Sequence, residues 1–98
     1  MKIAIDREKL AAFARRHRIR RLSFFGSVLR DDFGPESDVD VLVSFEAGAR
    51  VGLIALSAME IELGRLLRRR VEIHTEAGLH PGFRDEVLTA REVYYEQA

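Results

Sequence analysis

Two aspartates, Asp38 and Asp40, stand one residue apart at the start of a valine-rich run, "DVDVLVSF", and a Gly-Ser pair, Gly26 and Ser27, precedes them in the pattern G-S-x10-D-x-D. Strand side chains alternate between faces, so a strand over 38–45 sends both carboxylates to one side and Val39, Val41 and Val43 to the other. Carboxylates are costly to desolvate unless a cation or a hydrogen-bonding group stands opposite them. Hard oxygen ligands on one face suit Mg²⁺, which keeps waters and shares its remaining positions with substrate phosphates. Gly26 allows close approach of the backbone, and Ser27 offers a hydroxyl and an amide at the start of a helical turn, a natural seat for phosphate. Taken singly, Ser27 reads as a helix cap and the aspartates as the wet end of a loop. Taken together, four residue types of ~6% frequency each, at fixed spacing, arise by chance in a chain of this length on the order of once in a thousand.

The surrounding sequence supplies the elements that must position these groups. Asp6 is a helix cap for "REKLAAFARRHR", which places Leu10, Phe13, Ala14 and His17 on one face. A short strand is expected over 21–25 and one helical turn over 27–31. "DDFGPES" then supplies turn residues, and a strand follows over 38–45. A helix over 51–67 carries Leu56, Met59, Leu63, Leu66 and Leu67 toward the sheet. Ile54 and Ile61, flanked by Ala58, form a second apolar pair on its far side, which suggests a partner surface. A third strand is expected over 69–75, and after Pro81 and Gly82 a final helix with Phe83, Val87, Ala90 and Tyr94 as its stripe. The predicted order is α, β, short α, β, α, β, α: an α/β (α+β) domain with a small sheet flanked by helices.

With 98 residues the chain has room for one core and is read as a single domain, 1–98. It has no cysteine, which excludes disulfides and thiolate metal sites. The N-terminus lacks a secretory apolar region and no apolar run approaches a membrane span, so no membrane partner and a cytoplasmic location are expected. Net charge is zero, but its distribution is uneven. "ARRHRIRR" and "LLRRRV" are basic, while 31–40 carries Asp31, Asp32, Glu36, Asp38 and Asp40. The first basic run lacks clear aromatic interleaving, so direct nucleic-acid binding is not expected. Arginine outnumbers lysine fourteen to two and asparagine is absent, a composition that fits a thermophile or a GC-rich genome equally well.

From "RLSFFGS" through "SDVDVLVSF" to "RRVEIHTEAGLHPGFRDEVL", the chain resembles the nucleotidyltransferase superfamily with the polymerase beta type fold, and within it the minimal nucleotidyltransferases. The resemblance implies that Gly26 and Ser27 bind nucleotide phosphates and that Asp38 and Asp40 hold Mg²⁺ bridging the triphosphate of ATP. It also implies that Arg30 lies beside that triphosphate. The family places a third aspartate on the next strand, and here "VEIHT" has Glu72. Glutamate still supplies oxygens as a metal ligand or base, but its extra methylene shifts the carboxylate. His74 shares the face of Glu72 by alternation, where it reads first as a half-exposed strand histidine and second as an aid to proton transfer.

The implied activity is Mg-dependent transfer of AMP from ATP to a hydroxyl. Minimal members act as antitoxins toward HEPN-domain toxins by adding AMP to a toxin tyrosine, which makes a HEPN toxin the implied partner and a homodimer a further possibility. Ile54, Ile61 and a terminal helix bearing Tyr94 and Tyr95 are the candidate contact surfaces. Two alternatives stand beside this reading: an antitoxin that neutralises its partner by binding alone, and a transferase for a small hydroxylated molecule, whose larger relatives carry helical regions that this chain lacks.

Overall fold

The computed structural model describes all 98 residues. Helix α1 spans Arg7–Arg16 and is capped as its sequence predicts: an Asp6 carboxylate oxygen accepts from the amides of Glu8 and Lys9, each at 3.1 Å. Glu8 in the first turn and Arg15 and Arg16 in the last complement the helix dipole. Strand β1 follows over Ile19–Phe25, two residues longer at its start than expected, and a 3-10 turn over Gly26–Leu29 takes the place of the predicted helical turn. After the loop come β2 over Val39–Phe45, α2 over Leu53–Leu67 and β3 over Val71–Thr75.

Helix α3, Pro81–Ala90, starts with proline in its first turn, where the missing N–H costs nothing. His80 Nδ1 accepts from the Gly82 amide at 3.3 Å. The predicted extension of this helix through Tyr94 is wrong. Arg91 is extended, and Glu92–Glu96 form a fourth strand, β4. The apparent stripe of Phe83, Val87, Ala90 and Tyr94 ran across a boundary, and "EVYYE" is rich in residues that favour strands. Tyr94 packs edge-on against Phe24, with ring centroids 5.1 Å apart, and lies under the Arg7 guanidinium at 4.1 Å. The proposed terminal-helix contact surface does not exist; Tyr94 and Tyr95 pack against the core instead.

The sheet has the order β3-β2-β1-β4 and is mixed. Strand β1 pairs antiparallel with β2 and β4, whereas β2 and β3 are parallel. Parallel neighbours need a crossover, and α2 supplies it. Its Met59, Leu63 and Leu67 are buried with Leu10, Phe13 and Ala14 of α1 against Leu22, Phe24, Val39, Val41 and Val43. The opposite face carries α3 and a much smaller cluster of Phe25, Leu42, Leu79 and Val87. On the free edge of β3 the Ile73 amide would lack a strand partner; the Glu60 carboxylate of α2 accepts its hydrogen at 2.7 Å, which occupies that donor.

Candidate active site

Register decides what meets Asp40. In the β2–β3 pair Asp40 lies beside Glu72 and Leu42 beside His74, so Asp40, Glu72 and His74 project from the α3 face together. His74 Nε2 is 3.3 Å from an Asp40 carboxylate oxygen and 3.6 Å from one of Glu72. The partner that the buried-looking aspartates required is therefore, for Asp40, this imidazole. Its hydrogen bond to Asp40 raises the pKa of His74 above its ordinary value against the opposing effect of burial, with Coulombic help from Asp40, Glu72 and Glu60. The Phe25 ring packs on His74 with centroids 5.3 Å apart and limits its rotation.

Gly26 joins the same constellation from β1. Phe25 pairs with Asp40 across the antiparallel ladder, so the chain leaves β1 directly against that carboxylate. A Cβ on Gly26 would stand 2.6 Å from an Asp40 carboxylate oxygen, and its φ of +77° is one that side chains rarely adopt. Glycine is required here twice over. Ser27 follows, half-buried, in the 3-10 turn. Arg30 closes that turn, ion-pairs with Asp32 at 3.1 Å, and lines a cavity of about 170 Å³ with Gly26, Phe25, Phe83, Glu86, Val87 and Ala90.

The sequence-predicted residues thus divide. Gly26, Asp40 and Glu72 are brought together, with His74 as a fourth member whose weight the sequence understated. Asp38 sits one residue before β2, outside that three-residue group, and lines a cavity of about 260 Å³ with Glu36, Ser37 and Arg68 to Arg70. Nearest ligand atoms of Asp40, Glu72 and His74 all lie within 4.8 Å of one another, a spacing that one divalent cation spans. The donor set is two carboxylates and an imidazole, which fits a hard or borderline divalent ion. The close seat of Gly26 against Asp40 leaves that carboxylate room only because no side chain is there. The two carboxylates fit a divalent cation, with His74 set against Asp40.

A nucleotidyltransferase domain model matches residues 7–94. A candidate protein adenylyltransferase of Methanocaldococcus jannaschii is 32% identical over 88 residues, 90% of this chain and 92% of that protein. The protein adenylyltransferase MntA of Thermococcus cleftensis is 36% identical over 77 residues, 79% of this chain and 74% of that protein. Among solved structures, a candidate minimal nucleotidyltransferase superposes with a TM-score of 0.72 at 37% identity, covering 88% of this chain and 86% of its own. A Shewanella oneidensis MNT antitoxin in complex with its tri-AMPylated HEPN toxin shares the fold at a TM-score of 0.68 and 16% identity, over 93% of this chain and 70% of the matched one. No helix of the chain is long and apolar enough to cross a membrane.

Proposed function

We propose that this chain, which belongs to the nucleotidyltransferase family in its minimal branch, transfers AMP from ATP to a tyrosine hydroxyl of a HEPN-domain toxin in the cytoplasm and so acts as that toxin's antitoxin. The observation that carries this reading is the Asp40–His74–Glu72 cluster set against Gly26. Relatives named as protein adenylyltransferases, and a fold neighbour bound to an AMPylated HEPN toxin, support the choice of acceptor.

Asp38, Asp40 and Glu72 would hold Mg²⁺, which supplies charge neutralisation at the triphosphate. Gly26, Ser27 and Arg30 bind the distal phosphates and orient the α-phosphorus toward the acceptor. The acceptor oxygen attacks that phosphorus in line. A new O–P bond forms, the bond from the α-phosphorus to the bridging oxygen breaks, and pyrophosphate leaves with its electron pair. Glu72 takes the proton of the acceptor hydroxyl, and His74 holds Asp40 in place through its 3.3 Å contact. Leu53, Ile54 and Ile61 on α2, 82%, 89% and 58% exposed, supply an apolar surface for the toxin.

Intact mass of the toxin after incubation with the chain, ATP and Mg²⁺ tests the reading. A gain of one or more AMP units, absent with Asp40→Ala, is expected. A stable complex with no gain would replace it with an antitoxin that acts by binding alone. Changing Ile54 and Ile61 together to glutamate should weaken the complex by more than about tenfold, ~1.4 kcal/mol, as read by titration calorimetry.

A further inference from the structure

Between α2 and β3 the chain reverses direction within Arg68 to Arg70. Arg68 takes a left-handed φ of +57°, and the Arg69 amide donates back to the Gly64 carbonyl at 3.1 Å. Gly64 lets the backbone approach closely here: a Cβ there would meet the Arg69 carbonyl oxygen at 3.0 Å. The reversal aims the Arg69 side chain across the 260 Å³ cavity at the loop before β2. There its Nη2 donates to the carbonyl oxygens of Gly34, at 2.6 Å, and Ser37, at 2.7 Å. The guanidinium also lies over the Phe33 ring, 4.3 Å from its centroid.

The loop is braced within itself as well. The Ser37 amide donates to the Gly34 carbonyl at 3.1 Å, and the Ser37 hydroxyl accepts from the Gly34 amide at 3.0 Å. One residue beyond Arg69, the Arg70 carbonyl accepts from the Val39 amide at 2.9 Å. Asp38 is therefore fixed on both sides by consecutive residues: its preceding carbonyl by Arg69, its following amide by Arg70. Glu72 stands two residues further along the same segment. A planar guanidinium can serve two carbonyls and stack on a ring at once, whereas an ammonium cannot reproduce that arrangement.

We infer that Arg69 is a positioning residue for the cation and nucleotide site: it clamps the 33–37 loop so that Asp38 enters β2 in fixed relation to Asp40 and Glu72. This inference rests on the reading under Proposed function, in which Asp38 holds the cation. Without the clamp, the half-buried Ser37 carbonyl loses its side-chain donor, the Gly34 carbonyl keeps only the Ser37 amide, and the loop releases Asp38, while Asp40 stays held by strand pairing on both sides.

The test is Mn²⁺ binding by the full chain with a non-hydrolysable ATP analogue, read from the electron paramagnetic resonance signal of free Mn²⁺, with thermal melting of each variant alongside. Removing a group that orients a metal ligand typically weakens the metal about 10- to 100-fold, so Arg69→Met should weaken Mn²⁺ binding at least about tenfold at temperatures where it is fully folded. Arg69→Lys should fail to restore it. Affinity within about twofold of the parent in a folded Arg69→Met protein, with Asp40→Ala weakening binding, would overturn the inference and spare the site. Unchanged affinity in Asp40→Ala would instead overturn the cation site and the inference together. If Arg69→Met does not fold, Phe33→Leu removes only the stacking platform; it should weaken Mn²⁺ binding by about threefold, and an unchanged value there would overturn the clamp.

Discussion

On the side of the sheet that carries α1 and α2, fifteen buried apolar residues form one cluster; on the side that carries α3, four do, and Asp40, set against Gly26, gathers Glu72 and His74. The same two strands build both. Along β2, Val39, Val41 and Val43 face the large cluster, while Asp40 faces the site and Leu42 the small cluster. Alternation lets one strand serve stability and chemistry without either set of side chains displacing the other. Burial stabilises in proportion to apolar area, so the α1–α2 face sets the folding free energy. The α3 face can then keep charged groups half-exposed at little cost to the whole.

Substitutions on the two faces should therefore have separable effects. Asp40→Ala should lower AMP transfer about a thousandfold or more, equivalent to several kcal/mol of lost transition-state stabilisation. Its melting temperature should stay within a few degrees of the parent, because Asp40 is only half-buried and the side-chain contact it loses is to His74. Transfer is checked by intact mass and stability by thermal melting. A large loss of stability in this variant would break the division between the faces. Phe24→Ala on the other face should cost about 3–5 kcal/mol by denaturant unfolding, since Phe24 is fully buried and supports Tyr94 of β4. Transfer per folded molecule should survive at low temperature.

Gly26→Ala crosses the division. The left-handed φ alone costs roughly 1–2 kcal/mol for a residue with a Cβ, and the added carbon would force the Asp40 carboxylate aside. Stability should fall by about that amount, while Mn²⁺ binding and transfer should fall more than tenfold, ~1.4 kcal/mol or more. A variant that loses stability but keeps full transfer would show that Asp40 tolerates displacement.

What the sequence made legible follows the same line. Strand β2, helix α2 and the Asp6 cap could be read because each is fixed by local periodicity or by a side chain bonding its own backbone. The face shared by Asp40, Glu72 and His74 was partly legible, since alternation puts Glu72 and His74 together. Their approach to Asp40 depends on the parallel register of β2 and β3, which no local pattern sets. Strand β4 was misread because its tyrosine continued a helical period; only pairing with β1 decides its state. Arg69 carried no signal at all. Within "LLRRRV" three arginines look alike, and the one that clamps Gly34 and Ser37 is chosen by the left-handed turn at Arg68 and the space left by Gly64.

The smallest predicted effect lies where α1 meets α2 at the rim of the large cluster. Glu62 of α2 accepts from Arg16 at 2.5 Å and contacts His17 Nε2 at 2.8 Å, both at the C-terminal end of α1. The Arg16 hydrogen bond holds the Glu62 pKa below its ordinary value, against desolvation and with further help from His17. A carboxylate whose pKa is depressed on folding stabilises the fold fully above its unfolded value, about 4.5, and that contribution is lost as pH falls through the folded value. The group is a third exposed and Arg16 more so, so solvent screening limits the contribution to ~1 kcal/mol or less. Glu62→Gln should therefore melt at most about 4–8 °C below the parent at pH 7. The gap should close as pH falls below about 4.5 and shrink in high salt. A gap that persisted at pH 3 would mean that Glu62 acts through packing against α1 rather than through its charge.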